Sequence, residues 1–408
     1  MSPAQADPAV SRPFPYDIVI IGGCGRVGLP LGIAFADRGL SVVLSDIDES
    51  RVDLVNRGRL PFAEPGAAEK LEQSIASRRL LASTDNAVVG QAEHVVVVIG
   101  TPVDEHLNPD PNSIPETLGR CGDHLVDGQI LVLRSTVYPG VTALVERMMS
   151  ERDLDIDVAF CPERLAEGKA MTELFSLPQI VAGRTPQARK RAEELFRSLT
   201  DQIVHLEPEE AELAKLFTNT WRYIKFAIAN QLYMIANDFG VDYARVRDAI
   251  VYEYPRAADL PGAGLAAGPC LLKDTMQLAA FNDNNFALGM AAMQVNEGLP
   301  LYLVSRLSRR FDLATLTVGI LGMAFKAESD DARSSLSYKL KRILQFKAKE
   351  VVTTDPYVTT DADLLPLDDV LRRSDLLIVG APHPEYGGLD TDVTVVDIWN
   401  LLGQGVSV

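Results

Sequence analysis

Cysteine is scarce and scattered in this chain. Its 408 residues hold four, Cys24, Cys121, Cys161 and Cys270, with no C-x-x-C pair and no histidine-rich neighbourhood. Neither a disulfide framework nor a structural metal is expected, and the usage fits a reducing compartment. Positive charge is also in deficit: Lys plus Arg number 39 against 56 Asp plus Glu, a net charge of −17. That sign argues against nucleic acid or an anionic membrane as the main partner. It still allows an anionic small molecule, which a few local cations and backbone N–H groups can hold. Long apolar runs are missing as well. The run VVVVIG at 95–100 reads as a buried strand, and a membrane helix needs about 20 such residues. The opening MSPAQADPAVSRPFP lacks the basic start and apolar core of a signal peptide and reads as a disordered lead-in. A cytoplasmic protein is expected.

What is present, 47% hydrophobic and 23% charged residues, suits an ordinary globular chain of two or three domains. In the first 200 residues YDIVIIG (16–22), SVVLSD (41–46), HVVVVIG (94–100), QILVLRST (129–136) and DVAFCPE (157–163) read as strands. Continuous rather than alternating apolar runs predict a parallel sheet covered on both faces. Helical patterns lie between them, as at Val27–Arg38 and Glu49–Arg57, giving a doubly wound α/β domain. From Glu209 to Phe239 the chain has helical periodicity with no Gly or Pro; Pro208 suits its start and Gly240 its end. Such a helix spans about 45 Å. More helices follow to about 310, and LTVGILGMAF (316–325), AKEVVTTDP (348–356), SDLLIVGAP (374–382) and VTVVDIW (393–399) predict a second α/β domain. The expected division is 1–206, 207–310 and 311–408: two Rossmann-like domains joined by a long helix and a helical region.

GGCGRVGLPLG follows the first strand and opens a helix, with Gly23, Gly25 and Gly28 in the G-x-G-x-x-G register. The first glycine is expected to make the tight turn, the second to admit a pyrophosphate, and the third to let helix and strand pack closely. Asp46 closes the next strand at the spacing of the acid that binds ribose hydroxyls, which predicts NAD over NADP. Arg51, five residues on, is the residue that could instead accept a 2′-phosphate. Three further segments concentrate polar groups. CPERLAEGKA sets Glu163 and Glu167 past a strand end; ELAKLFTNTWR puts Lys215, Asn219 and Arg222 on one helical face. GILGMAFKAESDDARSS places Lys326 and Arg333 after the first strand of the last domain. Each alone is compatible with a solvated charged face, and Cys270 in GPCLLKDT with a small buried hydrophobe.

Their order along the chain is informative. With GRLPFAEPG (58–66), GTPVDE (100–105), RSTVYPG (134–140), CPERLAEG (161–168), AKLFTNT (214–220), GPCLLKD (268–274) and LGMAFKAESDDARSS (321–335) in sequence, the chain resembles the UDP-glucose/GDP-mannose dehydrogenase family. These are NAD-dependent nucleotide-sugar 6-dehydrogenases, and the resemblance runs from Tyr16 to about Asn400. It implies an NAD-binding domain, a nucleotide-holding domain and a long helix between them on which subunits dimerise. It also implies oxidation of a sugar C6 alcohol to a carboxylate in two steps, using two NAD+.

Residue by residue, the resemblance makes Cys270 the nucleophile that captures the aldehyde. Lys215 and Asn219 stabilise the oxyanion, with the lysine also moving a proton, and a nearby Lys215 would favour the thiolate. Asp274 and Thr136 hold the catalytic water and lysine, and Glu163 is the base for thioester hydrolysis. Besides Gly23, Gly25, Gly28, Asp46 and Arg51, the cofactor contacts fall at Arg26, Val27, Thr101, Pro102, Thr136, Glu167 and Lys273. Substrate contacts fall at Glu163, Arg164, Leu165, Lys215, Asn219, Arg222, Gly264, Cys270, Phe325 and Lys326, with Arg256 reaching across a dimer.

The chain departs from the family at Ala266-Ala267, where paired glycines are usual, and at Trp399, where many members have an arginine. Arg164-Leu165 and Arg222 look more like the UDP-N-acetylhexosamine branch, whereas Lys273 is typical of the UDP-glucose enzymes. A two-electron 3-hydroxyacid-type dehydrogenase and a non-catalytic nucleotide-sugar binder are the competing readings.

Overall fold

The computed structural model describes residues 14–101, 103–104, 110–266, 268–406 and 408. The proline-rich opening as far as residue 13, Pro102, residues 105–109, Ala267 and Ser407 lie outside the described residues. The chain divides into two compact units, one running to Thr101 and resuming over Asp110–Lys215, the other holding Leu216–Val408.

The first unit is an eight-stranded sheet. Its strands are β1 (Tyr16–Ile21), β2 (Val42–Ser45), β3 (Leu80–Ser83), β4 (Ala92–Val97), β5 (Ile130–Leu133), β6 (Asp157–Phe160), β7 (Gln179–Gly183) and β8 (Ile203–Leu206). Their spatial order is β3-β2-β1-β4-β5-β6-β7-β8. Alternate residues of β1 feed different apolar layers: Ile18 and Ile20 pack with Leu29, Phe35 and Phe196, while Val19 and Ile21 pack with Val95, Leu118 and Val145. A strand buried on both faces has no position for a polar side chain, hence the unbroken apolar runs. The pairing is parallel except at one place. β7 runs antiparallel to β6, with Ala159 opposite Gly183, and β8 then follows β7 in parallel. The five strands expected from the sequence, β1, β2, β4, β5 and β6, are parallel to one another; the antiparallel pairing enters with β7, outside them. β3, β7 and β8 were not among the expected strands; each is only four or five residues long, and β8, at the sheet edge, exposes Val204 and His205.

The helix Pro208–Asp238 starts as its sequence predicts, with Pro208 at its first position and Glu209 and Glu210 in its first turn. Its first two turns belong to the first unit. There the buried Glu212 accepts hydrogen bonds from the N–H groups of Gly140 (2.7 Å) and Thr142 (2.8 Å) and from the Thr142 hydroxyl (2.6 Å). That carboxylate caps the helix Val141–Glu151.

The second unit carries the rest of the long helix and the helices Tyr243–Val251, Pro269–Phe281 and Ala287–Arg310. Its sheet contains β9 (Thr317–Leu321), β10 (Glu350–Thr354), β11 (Leu376–Val379) and β12 (Thr394–Val396), all parallel, in the order β10-β9-β11-β12. Leu299, Leu303 and Leu307 of the last long helix pack with Val318, Ile320 and Leu340 in one apolar core. Among the described residues no helix is long and apolar enough to cross a membrane.

Candidate active site

In the first unit the chain leaves β1 through a turn that only glycine fits. Gly22 has φ +79, and a Cβ there would lie 2.6 Å from the carbonyl oxygen of Val98. The tight turn uses Gly22 as well as the expected Gly23: the Gly25 N–H closes it on the Gly22 carbonyl at 3.3 Å, and a Cβ on Gly23 would lie 2.7 Å from the Ile20 oxygen and from Leu44. Above Gly25 the loop is open, its nearest neighbour for a Cβ being the Gly22 oxygen at 3.3 Å. Val27 precedes the helix Gly28–Asp37 without a side-chain cap, so no side chain competes for the helix's first N–H groups. Asp46 holds this cradle: its carboxylate accepts the N–H groups of Cys24 (2.9 Å) and Asp48 (3.1 Å). Arg51 is turned onto Asp48, 3.2 Å away, and both are solvent-exposed. An open glycine turn, a helix start and an acid beyond β2 fit the pyrophosphate and ribose of NAD.

The strand ends beside it are tied down by carboxylates. Glu163 accepts the N–H groups of Arg164 (2.6 Å) and Leu165 (2.7 Å) on one oxygen. Its other oxygen lies 2.6 Å from the guanidinium of Arg134. Arg134 is buried at the end of β5, donates to the Cys161 carbonyl and to Gln179, and stacks 4.8 Å over Phe196. Arg164 reaches back to the carbonyl of Pro178, and Leu165 is half-buried against the apolar layer. Buried Glu64 accepts the N–H groups of Gly168 (3.1 Å) and Ala170 (2.9 Å) and so fastens the same segment from the other side. Arg26 and Glu167 pair at 3.0 Å. Thr101 donates to the carbonyl of Thr136 at 2.6 Å; Pro102 lies outside the described residues. The Lys215 side chain is buried and makes no hydrogen bond or ion pair among the described residues.

In the second unit the site is built on the start of the helix Pro269–Phe281. Cys270 is exposed in its first turn. One turn on, fully buried Asp274 accepts a hydrogen bond from the Asn219 amide at 2.5 Å and pairs with Lys273 at 2.6 Å. Gly268, two residues before the thiol, has φ +120, and a Cβ on it would come within 2.8 Å of the Phe325 ring. The loop ahead of it is anchored from below: Gly264 donates to Asn230 (2.9 Å), Asn230 to Asn296 (3.0 Å), and Asn296 to the Tyr223 carbonyl (3.1 Å). Trp399 lies against Gly264 and donates to the Gly380 carbonyl, so this departure from the family pattern places an apolar ring there. Lys326 sits 5.9 Å from the Phe325 ring centre, while Arg333 is held by Asp331.

Two expected residues stand apart. Arg222 is exposed although Lys215 and Asn219, on the same face by spacing, are buried. Arg256 is exposed and stacks over Tyr254.

Residues 16–200 match the NAD binding domain of the UDP-glucose/GDP-mannose dehydrogenase family, 209–298 its central domain and 319–404 its UDP binding domain. The chain is 32% identical over 397 residues to UDP-glucose 6-dehydrogenase AglM of Haloferax volcanii, covering 91% of this chain and 92% of that protein. The chain belongs to the UDP-glucose/GDP-mannose dehydrogenase family. It is also 28% identical over 400 residues to UDP-N-acetyl-D-mannosamine dehydrogenase of Pyrococcus horikoshii, covering 95% of this chain and 93% of that protein. The solved structure of a UDP-glucose dehydrogenase from Pyrobaculum islandicum matches with a TM-score of 0.87 at 28% identity, covering 96% of each chain.

As an NAD-dependent nucleotide-sugar dehydrogenase, the protein separates its thiols by environment. Burial, the larger cause, and then the charge of Asp46 push Cys24 up to about 12; burial pushes Cys161 up to about 12 and raises Cys121. Cys270 alone of the four is exposed. The Gly268–Phe325 contact yields a prediction. Gly268→Ala should cut kcat/KM for the nucleotide sugar by at least about tenfold, since left-handed backbone and a displaced ring each cost about 1–3 kcal/mol. NAD+ affinity should stay unchanged. Steady-state kinetics with each substrate varied in turn checks this; wild-type kinetics would mean that the contact does not shape the site.

Proposed function

We propose that this dehydrogenase oxidises C6 of a UDP-N-acetylhexosamine to the carboxylate through covalent intermediates on Cys270. The observation that carries the reading is the exposed thiol at a helix start, one turn above the buried Asp274–Asn219 pair. Bound NAD+ supplies the acceptor for the hydride lost in each of the two oxidations. Between them the Cys270 sulfur adds to the aldehyde carbon, and the thiohemiacetal keeps a reactive aldehyde from escaping. The second oxidation leaves a thioester. Water then attacks its carbonyl, the C–S bond breaks and the thiolate returns. The family resemblance assigns Lys215 and Asn219 to the developing oxyanion, each donor contributing about 3 kcal/mol in comparable sites. The same resemblance assigns Asp274 and Thr136 to orienting the water and the lysine, and Glu163 to taking the water's proton. The match of residues 319–404 to a UDP binding domain supports a UDP-sugar as substrate.

For the sugar, the acetamido reading is supported by Arg164-Leu165 and by likeness to UDP-N-acetyl-D-mannosamine dehydrogenases. UDP-glucose is the second reading, favoured by Lys273 and by the Haloferax relative. Arg222 is exposed, so a buried bond to the acetamido group is not supported within one chain.

We also propose a homodimer. Trp221, Ile228, Leu232, Ile235 and Phe239 are exposed at helical spacing along the long helix and its end. An apolar stripe of that length is stable in water only when covered, and a second copy supplies the same stripe. Four free cysteines support a cytoplasmic setting.

Four sets of measurements test these readings. Wild type should form two NADH per sugar oxidised, against one for a two-electron dehydrogenase. Cys270→Ala should lose acid formation while still binding NAD+, and Glu163→Gln should accumulate a covalent adduct visible by intact-protein mass spectrometry; acid formation at wild-type rate by the alanine variant would refute the nucleophile. Among UDP-N-acetylmannosamine, UDP-N-acetylglucosamine and UDP-glucose, an acetamido sugar should give the highest kcat/KM, and NAD+ should exceed NADP+. A higher value for UDP-glucose overturns the sugar assignment. Analytical ultracentrifugation should return twice the chain mass, and Ile235→Lys should shift it to the monomer.

A further inference from the structure

A buried Asp–His pair in the second unit plays no part in the chemistry above. Asp355 follows β10 and His383 follows β11, and both side chains are sealed from solvent. Asp355 accepts the N–H groups of Met323 (2.6 Å) and Ala324 (2.9 Å) on one oxygen, and those of Tyr357 (2.8 Å) and Val358 (2.9 Å) on the other. His383 joins this carboxylate to a further point of the chain. Its Nδ1 lies 3.1 Å from the backbone nitrogen of Glu328, and its Nε2 lies 3.1 Å from Asp355. A backbone N–H can only donate, so Nδ1 is bare and the ring proton is on Nε2, donated to Asp355. Burial alone would raise the Asp355 carboxyl, but the bonds from His383 and the backbone outweigh it and bring it to about 2. Tyr357 and Tyr386 flank the imidazole at 5.0 and 5.7 Å and fix its plane.

The two residues therefore grip the segment Met323–Glu328 at both ends. Phe325 and Lys326 lie between the grips. The far grip falls on a strained residue: Glu328 has φ +54, a conformation that non-glycine residues keep only when their surroundings impose it. A core histidine that merely filled space would not need its bare nitrogen aimed at that one N–H. Phe325 in turn abuts Gly268, two residues ahead of Cys270.

We propose that His383 is a positioning residue for the nucleotide sugar, acting through its Nδ1 on Glu328 to hold Phe325 and Lys326 in place. The proposal rests on reading Lys326 as a substrate contact. Two substitutions separate the two ring nitrogens. The amide oxygen of Asn stands where Nδ1 stands and keeps an acceptor for Glu328, whereas the amide nitrogen of Gln stands where Nε2 stands and keeps a donor for Asp355. His383→Gln should raise KM for the UDP-sugar, and the Kd for UDP alone by calorimetry, about tenfold, the cost of one unpaired buried donor. Its kcat and KM for NAD+ should hold, and His383→Asn should stay near wild type in all three. Equal effects of the two substitutions on the UDP-sugar, or a loss spread evenly over kcat and both KM values, would overturn the positioning role. Lys326→Ala is the companion measurement. Weaker UDP-sugar binding there with a wild-type His383→Gln sinks the positioning role alone, whereas unchanged binding removes the substrate contact and the proposal with it.

Discussion

A sheet covered on both faces delivers its polar chemistry to the loops beyond its strand ends, and those loops have no ladder of their own to hold them. In this protein carboxylates that accept backbone N–H groups supply the missing restraint. Asp46 holds the glycine turn, Glu64 and Glu163 hold the segment 164–170, and Glu212 holds the turn at Gly140. Asp355 does the same for the second sheet. A hydrogen bond to a charged acceptor contributes about 1.5–3 kcal/mol, roughly twice a neutral one, which is enough to hold a short loop in one conformation.

This use of acids changes the meaning of the net charge of −17. The composition argues against a polyanion as the partner. Part of the negative charge, however, is internal. Glu64, Glu163, Glu212, Asp274, Asp331 and Asp397 are all buried. Their partners are N–H groups, amides and a few cations such as Arg134, and the surface field is correspondingly weaker than the formal count implies.

The same economy governs the thiols. Three cysteines are buried in apolar layers and serve as small hydrophobes, while Cys270 stands at a helix start with polar groups one turn below. Residue type did not distinguish them; position on the helix and exposure did. Arg134 was likewise overlooked. Its place at the end of an apolar strand, QILVLRST, gave no sign that it would be buried beside Glu163. The pairing brings together residues 29 positions apart in sequence, and only folding makes it.

Strand composition, the glycine motif and helix punctuation were legible because they are local. Apolar runs predicted the central strands, and Pro208 and Gly240 bracketed the long helix. β3 and β8 escaped because, at the two sheet edges and part-exposed, they lack the long apolar run of a strand buried on both faces, and the antiparallel pairing of β7 depends on partners that no single segment encodes. For the same reason the sequence singled out Gly23 and Cys270 but gave no sign of the turn at Gly22, the burial of Arg134 or the Asp355–His383 pair. A left-handed turn depends on the carbonyl it must clear, and a buried dyad on N–H groups from other strands. The sequence by itself determined which elements form and which chemical groups are available; tertiary structure alone decided which groups are paired and which are left for a ligand, because burial and hydrogen bonding are properties of neighbours distant in the chain.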